Sequence, residues 1–333
     1  MMSIPATLAQ AAADLQAAPV DAVTPPYKGI AIGAGLVASI LLAIDYRSRT
    51  GTISRATTKE TLRQPVFLLM LALGALLVIA NIWVPYFSLG DDTKMFIDCG
   101  LATILIACLI TTVWTASLSV ADEIEGKTAM TLLSKPVNRW QFVIGKYLGI
   151  LQAALIMILI LGTLFFIATY YKIHYDRREA SIQQLPLIYM KSVSLLPFKL
   201  PFLNKTYFEG ALTILPGLSL IAMEVAVLTS ISVAISTRVP MLVNISTCFS
   251  IFVIGHLTPV LVLLEVQNVF VRFVASLLAT VMPVLEHFNV SAAIATGKII
   301  PGEYLLEASL YCLAYMTAVL LLGLLMFEDR DLA

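Results

Sequence analysis

Charge is what this sequence has least of. Asp, Glu, Lys and Arg make up only 13% of its 333 residues, about half the share usual in soluble domains. Apolar residues make up 59% and the mean hydropathy is +0.91. A water-soluble fold cannot cover that much apolar surface, so the excess faces lipid. The formal net charge is zero, so overall charge points to no nucleic-acid partner. Cysteine is also scarce. Cys99, Cys108, Cys248 and Cys312 lie in or beside apolar runs and form no CxxC pair, which argues against a zinc or redox motif. They read as buried membrane thiols. Met1–Val20 contains neither Lys nor Arg and no continuous apolar core, so it reads as a loose tail, ending near residue 27, and not as a signal peptide. A nucleotide-binding loop is missing too. Gly126-Lys127-Thr128 has Ala121 where a phosphate-binding loop needs its first glycine, and an apolar helix precedes it where a strand is required.

What is there is long apolar runs. A spanning helix needs about 20 mostly apolar residues. Six stretches meet this: Val66–Tyr86, Phe96–Ala116, Phe142–Tyr170, Leu212–Ile235, Met241–Val266 and Tyr304–Phe327. A seventh, Gly29–Ile44, is apolar but short, reaching about 24 Å against a core of about 30 Å. It either spans or lies at the interface. Its Ala31, Gly35 and Ser39 recur every fourth residue, a small-residue stripe suited to close packing on another helix. The expected fold class is therefore all-α: a polytopic transmembrane helical bundle of six core spans plus a short N-terminal seventh, forming one domain over residues 28–333.

Positive charge orients the bundle. Arg47, Arg49, Arg55, Lys59 and Arg63 lie in segment 45–65, and Lys127, Lys135 and Arg139 lie in segment 121–141. Arg238 follows the fourth core span and Arg330 the last. If every helix spans, these segments share one side, which makes that side the cytoplasm and the membrane the cytoplasmic (inner) one. Loop Ser88–Lys94, with two Asp, suits the outside. Segment 171–207 should also be outside, yet it carries Lys172, Arg177, Arg178, Lys191, Lys199 and Lys205, against the rule. Segment 267–303 is apolar but broken by Pro283, Glu286, His287 and Pro301, and reads as an outer-face interfacial or re-entrant hairpin.

The most informative stretch is Ala121–Gly149, ADEIEGKTAMTLLSKPVNRWQFVIGKYLG. Acidic residues stand where one span leaves the membrane. Thr128–Leu133 suits a short surface helix, which Ser134-Lys135-Pro136 ends. Asn138, with Gln141 three residues on, suits a capping box for the returning helix. By pattern alone an ordinary charged loop explains this equally well.

The combination resembles the type-2 family of ABC transporter permeases, most of all the branch of the nitrous-oxide-reductase maturation permease. The family's loop runs from glutamates through Gly-x-Thr, Leu-Leu and Pro-Val-x-Arg to Gly-Lys. The matching positions here are Glu123, Glu125, Gly126, Thr128, Leu132, Leu133, Pro136, Val137, Arg139, Gly145 and Lys146. Ile53–Pro65 resembles the family's interfacial elbow helix, and Phe327–Leu332 its aromatic-charged tail. The resemblance implies an ATP-driven transporter subunit, expected to be an exporter although import stays open, that is not itself an enzyme. It implies a separate ABC ATPase chain carrying ATP and Mg, no cofactor in this chain, and a second permease copy or sister permease. It makes the loop the coupling element that docks on the ATPase. Met130 and Leu133, i and i+3 on the short helix, are the expected apolar knobs.

Glu224 lies mid-way along an apolar run, where a carboxylate costs several kcal/mol. His256 lies in the next run at a depth differing by about 6 Å. The two read as a helix clasp or as part of a translocation path. Gly217-Leu218-Ser219 with His256 faintly resembles the Ser–His pairing of rhomboid proteases. A non-transporting assembly subunit on the same fold is the other alternative. His174 and His287 read as solvated loop residues, and Asn204-Lys205-Thr206 as a chance sequon.

Overall fold

The computed structural model describes residues 26–84, 92–125, 138–179, 186–192, 199–263, 273, 282–289, 293 and 300–328. It is an all-α bundle: α1 (Tyr27–Arg47), α2 (Arg49–Arg63), α3 (Pro65–Ala80), α4 (Asp92–Glu125), α5 (Arg139–Glu179), α6 (Lys205–Leu212), α7 (Leu215–Ser236), α8 (Met241–Leu263) and α9 (Gly302–Glu328). One two-stranded antiparallel hairpin interrupts it, β1 (Ile188–Ser192) on β2 (Lys199–Leu203), with Ile188 opposite Leu203. Six helical segments, containing α1, α3, α4, α5, α7 and α9, are long and apolar enough to cross a membrane. The apolar helix α8 lies beside α4 and α7. The chain is a multi-pass membrane protein.

The observed helices outrun the apolar stretches. At 21 residues, α1 reaches about 31 Å, enough for the hydrocarbon core, because Tyr27, Lys28 and Asp45–Arg47 continue its hydrogen bonding. Its small-residue stripe does not pack on the bundle: a side chain added at Gly33 or Gly35 would meet no atom within 4 Å, and Ile32 is 64% exposed. Helix α5 continues past Tyr170 to Glu179, so segment 171–207 is not a simple loop. Lys172 holds this extension. Buried, it sits 3.1 Å from Asp176 one turn on and donates to the Ile82 carbonyl at 3.1 Å. His174 is likewise not a solvated loop residue but part of α5, with its ring against Tyr207. Asn204 of the sequon caps α6, accepting from the Thr206 amide at 3.1 Å.

Helix α7 is the centre of the bundle. Every residue from Glu224 to Ala234 is buried, which a helix reaches only when protein surrounds its whole circumference. Helices α4, α5, α8 and α9 supply that surround. Polar side chains tie the layers: Asn244 on α8 donates to Ser117 on α4 at 2.9 Å and to Ser232 on α7 at 3.0 Å, all buried. Tyr147 on α5 donates to the Ala226 carbonyl on α7 at 3.3 Å.

Polar helix α2 is held differently. Ser48, in an extended conformation, breaks α1 from α2 and caps α2 by accepting from the Gly51 amide at 3.0 Å. Thr50, Ser54, Thr57, Thr58 and Thr61 then fall on one buried face. That face lies on α5 where Gly145 and Gly149 remove two side chains. A Cβ at Gly149 would stand 2.6 Å from the Ser54 carbonyl oxygen, and one at Gly145 2.8 Å from Ile53 Cβ. Close backbone approach through small residues is how helices associate without water to drive them. Polar contacts lock it. The Gln152 amide donates to Asp45 at 3.0 Å, and its oxygen lies 2.9 Å from the Thr58 hydroxyl.

At one end of the bundle the basic residues converge. Lys146 donates to Ser119 at 2.7 Å and lies 3.7 Å from Glu60 on α2. Arg139 donates to the Phe327 carbonyl at 3.3 Å, and Arg238 to that of Met326. Two guanidinium groups thus meet the free carbonyls at the end of α9, where the helix dipole favours cations.

Gly149→Ala should lower the thermal stability of the detergent-purified protein, with a cost of about 1–3 kcal/mol from overpacking. Gly33→Ala, made into open space, should leave it unchanged or raise it, since Ala favours a helix by up to about 1 kcal/mol. A melting comparison of the two variants checks both.

Candidate functional site

Sequence alone places a carboxylate and an imidazole within the apolar runs, and the fold brings them together. Glu224 faces α8 from the middle of α7. Its Oε1 lies 3.5 Å from His256 Nε2, a contact longer than a hydrogen bond, with 2% of the Glu224 side chain exposed and 24% of that of His256. Counting from Arg238 sets the two about 6 Å apart in depth, and their side chains bridge that offset. His256 Nδ1 is 3.1 Å from the Phe252 carbonyl one turn back. A carbonyl only accepts, so Nδ1 carries the hydrogen of that bond. Among the described residues, no hydrogen bond reaches Glu224 Oε1.

The 3-10 turn Leu285–Phe288 lies against α7 and α8 and covers this pair. Leu285 and Phe288 are buried while His287 and Asn289 are exposed, so this turn of segment 267–303 sets two apolar side chains into the bundle. Gly255, beside His256, makes the fit possible. A Cβ there would stand 2.8 Å from Leu285 and 2.9 Å from the Pro283 carbonyl oxygen. The turn is fastened to α9: the Tyr311 hydroxyl accepts from the Val284 amide at 2.9 Å, and Tyr304 donates to the His287 carbonyl at 2.6 Å. The His287 ring packs edge-on to Tyr311 at 5.5 Å, and Tyr315 follows at 6.0 Å. Glu286 is an electrostatic neighbour of Glu224 on the same turn. The result is a carboxylate and an imidazole beside a turn that the tyrosines of α9 fasten in place. Sequence reasoning missed the tyrosines. Their spacing, Tyr304, Tyr311 and Tyr315, marks one face of α9, but nothing local says that the face meets the turn.

Ser219 takes no part. It donates to the Pro216 carbonyl at 2.7 Å, while the described polar contacts of His256 are with Phe252 and Glu224. The Ser–His pairing of an intramembrane hydrolase is therefore not assembled.

Of the residues expected to couple to a partner, Glu123 and Glu125 lie on the last turn of α4. Gly126, Thr128, Met130, Leu132, Leu133 and Pro136 lie outside the described residues. Arg139 opens α5 and is engaged with the end of α9. Half of the expected capping box is present, the Asn138 amide donating to the Gln141 side-chain oxygen at 3.3 Å. Lys146 is buried between α2, α4 and α5. Among the described residues no group of three or more His, Cys, Asp or Glu is placed to hold a metal ion. No protein-family model and no curated protein matches the chain.

The burial of the pair is lopsided, and so should be the cost of breaking it. His256→Ala leaves the buried carboxyl without a partner, costing about 1–3 kcal/mol. Glu224→Gln keeps an amide that can donate to Nε2, and should cost less. Thermal denaturation of the two variants in detergent should show His256→Ala melting lower.

Proposed function

We propose that the chain is the membrane-spanning permease subunit of an ATP-driven ABC transporter, an exporter, whose ATPase is a separate chain. The observation that carries this reading is the loop sequence between α4 and α5, which resembles the coupling loop of type-2 ABC permeases, together with the position of its two stems. Glu125 ends one stem and Arg139 opens the other, at the end of the bundle where Lys146, Arg139 and Arg238 gather. In this reading that positive end is the cytoplasmic one, by the distribution of Lys and Arg, and the membrane is the inner one. The amphipathic helix α2, packed at the same end, supports the likeness to an elbow helix.

In this reading, ATP and Mg bind the partner, and the loop passes the partner's closure to α4 and α5. A second copy or a sister permease completes the path. The buried contact of α5 with α2, α4 and α7 makes α5 stiff enough to carry a displacement.

Leu133→Asp should release the ATPase from the detergent-solubilised complex while leaving the permease folded, since a charge would enter an apolar docking groove. Co-purification with wild type but not with this variant is the expected result, and no ATPase with either form would sink the assignment. Single cysteines give the orientation. Position 91 should be labelled from outside intact cells, and positions 55 and 139 should not.

A further inference from the structure

The Glu224–His256 contact is short of one hydrogen if both groups are in their ordinary unprotonated forms. The ring hydrogen of a neutral His256 is on Nδ1, where the Phe252 carbonyl accepts it at 3.1 Å. Nε2 then presents a lone pair. Opposite it, at 3.5 Å, stands Glu224 Oε1, which in a carboxylate also presents only lone pairs and has no other hydrogen-bond partner among the described residues. Two acceptors cannot satisfy each other, and the 2% exposure of Glu224 keeps water from supplying the missing donor.

We infer that Glu224 and His256 form a membrane-embedded proton-binding site, holding one shared proton and exchanging it as a unit. With the proton on Glu224, a carboxyl O–H donates to Nε2. With it on His256, an N–H donates to the carboxylate. Either placement leaves the pair electrically neutral. Release of the proton leaves a bare carboxylate facing a lone pair in a closed apolar setting. The exchange route runs by way of His256, the more exposed partner at 24%. This depends on no ATPase and stands apart from the permease reading.

Among the described residues the surroundings supply no competing donor to Oε1. The turn covering the pair contributes Glu286 and His287. Glu286 is occupied, accepting from the Asn289 side chain at 3.0 Å, and His287 is exposed against Tyr311. The titratable residues of α9 in this region are Tyr304, Tyr311, Tyr315 and Cys312. Tyr304 donates to the His287 carbonyl, Tyr311 accepts from Val284, and Cys312 donates to the Met223 carbonyl at 3.4 Å. Tyr315 packs beside Tyr311. Tyr147 of α5 is bonded to the Ala226 carbonyl. Cys248 of α8 donates to Asn244 at 3.4 Å, and α4 contributes the buried Cys108. At the entry of α1, packed on α7, stand Tyr27 and Lys28.

Infrared difference spectroscopy of the purified full-length protein across a pH series tests the site. The wild type should show one carboxyl-to-carboxylate transition that is lost in Glu224→Gln. In His256→Asn the same transition should move by about one pH unit or more, as coupled sites do. An unmoved transition in His256→Asn overturns the shared proton. So does a wild type with no transition attributable to Glu224. Where His256→Asn does not fold, the nitrogen NMR spectrum of the histidine ring in wild type and Glu224→Gln decides. His256 should titrate together with the carboxyl in wild type and lose that transition in Glu224→Gln. A ring that titrates identically in both overturns the proposal.

Discussion

The full burial of α7 sets the terms for the rest of the bundle. A helix surrounded by protein from Glu224 to Ala234 offers its neighbours no lipid-facing side, so polar groups on it are either paired or left orphaned in a medium that cannot hydrate them. Ser232 and the Ala226 carbonyl are paired, with Asn244 and Tyr147. Glu224 is the one charged residue of the run, and it is met by an imidazole on α8. The placement of α8, of the turn at Leu285–Phe288 and of the tyrosines on α9 follows from closing over that residue. Peripheral helices answer to another rule. Helix α1 exposes nearly its whole length, and its apolar side chains are satisfied by lipid alone.

Most of the fold was legible because the membrane simplifies it. Length and apolarity decide a span, and the described residues of each expected run fall mainly on helices, although α8 within the run Met241–Val266 is a shorter apolar helix and not one of the six candidate spans. What the runs do not give is where a helix stops. Helix α5 continues to Glu179 because Lys172 finds Asp176 and the Ile82 carbonyl, contacts that depend on a loop far away in sequence. The hairpin at Ile188–Ser192 sits in a segment too rich in lysine and proline to show a clean alternation. The opposite error arose at Ala31, Gly35 and Ser39. Their spacing fits helix packing, yet the stripe faces away from the bundle. Of the small residues that do the packing, Gly145 was hidden within the Gly-Lys of the coupling motif and Gly149 lies three residues past it.

The site was legible in part for a similar reason. A carboxylate and a histidine in neighbouring apolar runs stand out by their cost alone. The turn that covers them does not, because Leu285 and Phe288 look like any apolar residues in a broken segment. Only the three-dimensional contact with Gly255 shows how closely this turn packs on α8. Ser219 shows the converse. A short motif finds a serine and a histidine, and the backbone carbonyl of Pro216 has already taken the serine.

The two ends of the bundle are mechanically joined. Near the Glu224 level, α9 holds α7 by the Cys312 contact to the Met223 carbonyl and holds the covering turn through Tyr311. At the basic end, Arg238, just past α7, holds the final carbonyls of α9, and Arg139 at the start of α5 holds the same end. Two helices fastened at mid-length and at one end resist sliding, because moving one past the other breaks contacts at both levels. Contacts thus run from α5 to α9 by way of Arg139, from α5 to α7 by way of Tyr147, and from α9 to the turn over Glu224 by way of Tyr311. A shift of that turn would change the burial of the Glu224–His256 pair, and burial is what sets the cost of a charge there.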